Sequence, residues 1–266
     1  MTDAEEQPVL VDVADGVMTI SFNRPARHNA VTGRMHREFV AALERARHDK
    51  AVRVVLLRGE GRSFCSGADV ADFQTPEVPP TAAERALAVM GGRELVDALL
   101  AVPQPIVAAV RGYAMGLGAT IALFSDVVIA ADDAVLADTH VNIGVVAGDG
   151  GAVMWPLLAG LGRARFHLLT GERVTGALAA EWGLVYRAVA ADAVDDEARA
   201  VVDKLAALAP LAVQGTKSTL NRIVREKVEL VLDHGLWSEA VTFLSDDHRE
   251  ATAAFMEKRT PGFEGR

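Results

Sequence analysis

Cysteine is almost absent: Cys65 is the one cysteine among 266 residues. An internal disulfide and a cysteine-rich metal site are therefore excluded, and a reducing compartment, the cytoplasm, is the expected location. Positive charge is also scarce. Lys and Arg number 27 against 36 Asp and Glu, a formal net charge of −9 at pH 7, so no global field gathers nucleic acid or an anionic membrane. Neither partner is expected, and an anionic ligand has to be held locally. Long apolar runs are missing too. The two longest uncharged stretches, Gly112 to Ser125 and Gly150 to Gly162, fall short of the roughly 20 residues that span a bilayer. Met1 to Gln7 has neither the basic start nor the apolar stretch of a secretory signal.

What is present is the make-up of a soluble globular protein, 50% hydrophobic and 24% charged, long enough for one large domain or two modest ones. Val9 to Asn23 reads as a hairpin turned at Ala14-Asp15-Gly16, because Asp-Gly between β-branched runs favours a tight turn. Helical spacing follows over Thr32 to Asp49, with Met35, Phe39, Val40, Leu43 and Ala46 on one side. Further strands are expected at Val52–Leu57, Ile106–Val110, Val127–Ala131 and Leu184–Val189. Helices are expected at Ala82–Ala101, Val153–Leu169 and Ala177–Trp182. From about Asp192 the pattern is helical, through Ala193–Leu208, Leu211–Leu232 and Asp247–Lys258. Gln74 to Thr81 holds three prolines and is expected to be a loop.

Three segments carry candidate chemistry. Phe22-Asn-Arg-Pro-Ala-Arg-His-Asn-Ala30 places two arginines and a proline between a strand and a helix; by itself it also reads as a turn with solvated arginines. Gly59-Glu-Gly-Arg-Ser-Phe-Cys-Ser-Gly-Ala-Asp69 leaves a strand through small residues. Arg111-Gly-Tyr-Ala-Met-Gly-Leu-Gly-Ala119 opens an apolar helical run with three glycines, which allow close backbone approach to a ligand or close helix packing. Its spacing does not meet the dinucleotide fingerprint.

In this order and spacing, with Leu169-Thr-Gly-Glu-Arg-Val-Thr-Gly176, Ala180-Glu-Trp-Gly-Leu-Val185 and the ending Asp246-Asp-His-Arg-Glu250 through Phe263, the chain resembles the crotonase, or enoyl-CoA hydratase/isomerase, superfamily over almost its whole length. The resemblance implies an α/β fold, a spiral of ββα turns over residues 1–191, and a helical trimerisation region over 192–266. It also implies a homotrimer or homohexamer acting on an acyl-CoA, with coenzyme A as part of the substrate and no separate cofactor or metal. The family's oxyanion hole maps to the backbone N–H groups of Ala68 and Leu117. Arg24, Arg27 and Lys258 become candidate partners of the coenzyme's phosphates. Ala26, Ala30, Ser66 and Gly67 are implied as substrate-lining positions, as are Asp69, Val70, Gly116 and Thr120. Ala71 stands where the family often has a basic residue.

The two glutamates of the family's hydratases fall here on Thr120 and His140. Threonine is neither acid nor base near neutral pH, so a two-glutamate hydration does not carry over. His140 with Asp149 supplies an alternative: an imidazole of pKa about 6.5 serves as a general base when a carboxylate fixes its tautomer. Asp149 is equally placed to cap the helix that follows, His140 to sit in the interior, and Thr120 to pack. Asp138 and Asn142 are further polar candidates nearby. The stretch from Asp138 to Pro156 also resembles oxocamphor hydrolase, a crotonase relative that splits a β-diketone with a His–Asp pair and water. The expected function is an enoyl-CoA hydratase or isomerase, a lyase-like enzyme of fatty-acid metabolism with a His140–Asp149 dyad. The alternatives are a carbon–carbon bond hydrolase of the β-diketone type and a non-catalytic acyl-CoA-binding protein.

Overall fold

The computed structural model describes residues 7–69 and 81–266. Val70, Ala71 and the proline-rich stretch from Gln74 through Pro80, for which a loop is expected, lie outside them, as does the start of the polar amino terminus. The chain opens on β1 (Val9–Ala14) and β2 (Val17–Phe22), paired antiparallel from Val9↔Phe22 to Ala14↔Val17. Asp15 and Gly16 turn between them at φ 52° and 79°, the left-handed pair that matches strand twist in a two-residue hairpin. After Asn29, α1 (Gly33–His48) begins where the Thr32 hydroxyl accepts the Met35 N–H at 3.3 Å. Its buried stripe is Met35, Phe39, Ala42, Leu43 and Ala46, while Arg45, Arg47 and His48 sit at its negative end.

From there the chain steps between two sheets. β3 (Val54–Gly59) joins β2 in parallel, α2 (Ala82–Ala101) crosses over, and β4 (Ile106–Val110) joins β3, buried at all five residues. β5 (Tyr113–Met115) then leaves for the second sheet and leads into α3 (Leu117–Leu123). The step repeats with β6 (Val127–Ala131) in the first sheet and β7 (Val135–Ala137) in the second. α4 (Gly151–Ala159) and α5 (Leu161–Thr170) follow, then β8 (Val174–Thr175), α6 (Gly176–Glu181) and β9 (Arg187–Val189). The sheets are ordered β1-β2-β3-β4-β6-β9 and β5-β7-β8. This is the expected spiral of ββα turns.

Beyond β9 the chain is helical: α7 (Val194–Ala206), α8 (Pro210–Thr242) and α9 (Asp246–Glu257). α7 lays Val194, Ala198 and Val202 against β3, β4 and β6, and α8 packs on α2 and α4. One apolar cluster runs from Val9 through both sheets to Leu236. Two helical expectations change. The single helix expected over Val153–Leu169 is two, broken where Gly160 takes φ 83° and ψ 152°. The helix expected to end at Leu232 continues to Thr242, which carries Gly235 and Glu239 against the site described next. Among the described residues no helix is long and apolar enough to cross a membrane.

Candidate active site

The glycine-rich turn is built by strand pairing outside the main sheet. Phe64 N–H donates to the Arg111 carbonyl at 2.8 Å, Cys65 N–H to Tyr113 at 2.8 Å and Met115 N–H to Cys65 at 3.1 Å, which draws residues 66–69 alongside 115–118. Close backbone approach dictates glycine there: a Cβ on Gly67 would lie 2.8 Å from the Met115 carbonyl, and one on Gly118 would lie 2.3 Å from the Cys65 carbonyl. Val31 pairs on either side of Ala68, donating to Gly67 at 2.8 Å and accepting from Asp69 at 2.9 Å. In extended chain the intervening N–H points the other way. Among the described residues the N–H groups of Ala68 and Leu117 have no backbone acceptor; Leu117 opens α3, whose first amides have no partner within the helix. Cys65 beside this turn is fully buried, and burial pushes its thiol up to about 12, which leaves no nucleophile.

Arg24, an expected phosphate contact, is engaged within the fold. Its guanidinium donates to the Ala30 carbonyl and, at 2.9 Å, to Asp69 Oδ2. Fully buried Asn29 accepts the Arg24 N–H at 2.8 Å and donates to the Ser63 carbonyl at 2.7 Å. Arg24 and Asp69 are thus a strut that fixes segment 24–30 against the Ala68 turn. Ala26 and Arg27 are exposed on that segment, Ala30 is buried within it and Ser66 is half-buried. Lys258 caps α9, its backbone N–H donating to the Phe255 carbonyl at 3.3 Å, and its exposed side chain makes no hydrogen bond or ion pair among the described residues.

A buried cluster stands against the same turn. β7 ends at Ala137, whose carbonyl accepts the Gly116 N–H at 2.8 Å, and the next residues are Asp138, Thr139 and His140. His140 begins a single tight turn through Ile143 and sets Nδ1 2.6 Å from Asp138 Oδ1. Its Nε2 lies 3.4 Å from Asp149 Oδ2. Asp149 Oδ1 accepts the Thr120 hydroxyl at 2.9 Å, and the carboxylate also takes the Gly151 N–H at the start of α4. Asp149 touches the imidazole, while the cap residue of α4 is Gly150. A Cβ on Gly116 would lie 3.8 Å from His140 Cε1, so the ring faces the turn itself.

His140 lies 3.4 Å from Asp149 and closer, at 2.6 Å, to Asp138. Burial works against a charged ring, but Asp138 and then Asp149 outweigh it and hold the imidazole well above 6.5. Burial would raise Asp149, yet the His140 cation and the Thr120 and Gly151 donors keep it below its ordinary value. Both shifts run toward a protonated ring beside an ionised Asp149. The expectation is of His140 as a general base oriented by Asp149; a raised proton affinity works against that role, because an imidazolium has no lone pair to accept a proton. Asp138, His140 and Asp149 also bring three donor atoms within 4.8 Å of one another.

Sequence reasoning missed Glu239 of α8 altogether. It is 6% exposed, and its Oε2 has no hydrogen-bond partner. The available signal was an acid on the buried stripe formed by Val228, Leu232 and Leu236.

Two sheets wound as repeated ββα turns, closed by carboxyl-terminal helices and carrying a glycine-rich turn beside a buried histidine, define a protein of the crotonase class. The enoyl-CoA hydratase/isomerase family model matches residues 12–266, and the chain belongs to that family. It is 33% identical to the 1,2-epoxyphenylacetyl-CoA isomerase of Escherichia coli over 261 residues, covering 97% of this chain and 98% of the relative. It is also 33% identical to the (E)-benzylidenesuccinyl-CoA hydratase of Thauera aromatica, covering 97% and 99%. Among solved structures, an enoyl-CoA hydratase/isomerase from Mycobacterium paratuberculosis superposes with a TM-score of 0.87 at 34% identity, covering 92% of this chain and 97% of that one.

Proposed function

We propose that the protein is an acyl-CoA enzyme of the hydratase/isomerase type that transfers a proton next to a polarised thioester carbonyl, with Asp149 as acceptor. The observation that carries this reading is the His140 ring between Asp138 and Asp149, packed against the Gly116 turn. The thioester oxygen takes the two amides of Ala68 and Leu117. Negative charge grows on that oxygen as an enolate forms, so fixed donors stabilise the transition state more than the ground state. Losing either donor typically raises the barrier by about 3–4 kcal/mol. Meanwhile two carboxylates around one imidazolium carry a net charge of −1, and accepting a substrate proton makes the cluster neutral. Thr120 acts as an orienting donor to Asp149 rather than as packing alone.

Arg27 and Lys258 remain the candidate contacts for the coenzyme's phosphates, since both are exposed. The proposed assembly is a homotrimer or homohexamer. Ile223, Leu230 and Trp237 recur every seven residues along α8 and are 57%, 72% and 67% exposed, an apolar stripe suited to a second copy of the chain.

The test is turnover of short, medium and aromatic enoyl-CoAs and β-ketoacyl-CoAs in ¹⁸O-labelled water, together with exchange of the protons next to the thioester in D₂O. Label on an intact hydrated thioester identifies a hydratase, and a rearranged double bond without label an isomerase. Label in a cleaved acid identifies a carbon–carbon hydrolase and overturns the reading. Asp149→Asn is expected to lose about 10²–10⁴-fold in exchange and turnover while coenzyme A affinity is retained. Wild-type rates in that variant would remove Asp149 as the acceptor. Binding with neither exchange nor turnover would make the chain a non-catalytic acyl-CoA-binding protein.

A further inference from the structure

The Asp–His–Asp cluster has a neighbour from a distant part of the chain. Gly148 and Gly235 touch backbone to backbone: a Cβ on Gly148 would lie 2.4 Å from the Gly235 carbonyl oxygen, and one on Gly235 would lie 2.9 Å from the Gly148 oxygen. Thr242 Oγ1 accepts the Val146 N–H at 3.1 Å. These contacts dock α8 on the segment that ends in Asp149. Glu239 lies one helical turn past Gly235, on the same side of α8, and its Oε2 would be 2.7 Å from a Cβ on Gly148. The carboxyl therefore sits over the residue preceding Asp149, buried and with Oε2 unpartnered. Buried polar atoms are nearly always paired, and an exception calls for a reason.

The charges acting on Glu239 come from one segment: His140, Asp149 and Asp138. On the adjoining faces of α2 and α8, Arg93 is already committed to Asp97, Glu229 and Asp233. Burial pushes the Glu239 carboxyl up, Asp149 and Asp138 push the same way, His140 opposes them, and the group stands at about 8. Asp149 is moved in the opposite direction. Two neighbouring carboxyls with diverging proton affinities are the arrangement of an acid and a base in one site.

We propose that Glu239 is the acid of this site, protonated at rest, and gives its proton to the substrate while Asp149 takes one away. The inference rests on the proton-transfer reading above. In a double-bond shift, Asp149 removes a proton from one carbon, the electron pair moves through the enolate, and Glu239 protonates the other end. In a hydration, Asp149 takes a proton from water, the hydroxide adds at the β carbon, and Glu239 protonates the α carbon. Either turnover leaves Asp149 protonated and Glu239 ionised, and one proton returned from the first to the second through solvent restores the site.

The experiment compares wild type with Glu239→Gln and Glu239→Asp on two readouts: turnover as a function of pH, and D₂O exchange of the protons next to the thioester in a saturated acyl-CoA, which needs the base alone. Glu239→Gln is expected to keep exchange, lose at least about a hundredfold in turnover, and lack the alkaline limb expected of wild type near pH 8. Glu239→Asp is expected to restore part of the turnover with the limb displaced. Infrared difference spectra of wild type at pH 6 and pH 10 are expected to show a buried protonated carboxyl that ionises. Full turnover and an unchanged alkaline limb in Glu239→Gln would overturn the proposal, as would a wild-type spectrum without that signal, which holds even if the variants fail to fold. Absence of exchange and turnover in wild type would instead refute the underlying function.

Discussion

Replacing Asp138 by Asn keeps the side-chain volume and a hydrogen-bond acceptor but removes one of the two charges that hold the His140 cation. Asp138 is 1% exposed, and its Oδ1 lies 2.6 Å from Nδ1, whereas Asp149 lies 3.4 Å from the other ring nitrogen. Breaking a buried ion pair from one side costs about 3–5 kcal/mol, although the ring can limit that loss by releasing its proton. A histidine whose folded pKa lies above 6.5 stabilises the fold fully below the unfolded value, and the contribution disappears as pH rises through the folded one. Asp138→Asn is therefore expected to be destabilised by on the order of 3 kcal/mol at pH 6, with the difference shrinking steadily toward pH 10. A chain of this size changes melting temperature by roughly 2–4 °C per kcal/mol, so the gap at pH 6 is on the order of 10 °C. Paired urea and thermal unfolding at fixed protein concentration, from pH 6 to pH 10, measures it. A loss of equal size across the range would refute the assignment of a charged His140, as would a ring that titrates at or below 6.5 in the wild type by NMR.

Two further outcomes follow from the packing. Gly148→Ala puts a Cβ 2.4 Å from the Gly235 carbonyl oxygen and 2.7 Å from Glu239 Oε2, so α8 has to move; a loss of about 1–3 kcal/mol and a lower alkaline pKa in the pH–rate profile are expected, and unaltered unfolding would show that this contact is not tight. Leu230→Glu places a charge within the exposed stripe of α8 and is expected to convert a trimer or hexamer to smaller species in light scattering, while an unchanged mass would put the subunit contact elsewhere.

Much of the local structure was legible because its signals are local. Asp15-Gly16 between apolar runs specified the hairpin, Thr32 ahead of a 3.6-residue stripe specified α1, and the periodicity over Ala82–Ala101 delimited α2. The second sheet was not legible. β5, β7 and β8 have three, three and two residues, too few for alternation to register, and they pair only because the spiral stacks them. In the site, the ordered motifs located the Ala68 and Leu117 turn and singled out His140 with Asp149. Asp138 was merely one polar neighbour, since a tight turn after β7, rather than a periodic spacing, swings His140 back onto it.

Residue order alone thus determined the elements, the glycine-rich turn and the identity of the titratable side chains. Tertiary structure decided the direction in which each proton affinity moves. Burial removes water from His140, Asp149 and Glu239, and in that environment each charge depends on the distance to the next. Two of those neighbours are close in sequence, but Glu239 arrives on α8 through the Gly148–Gly235 contact. Local patterns report on residues a few positions apart, whereas a pKa is set by whatever the fold brings within a few ångströms.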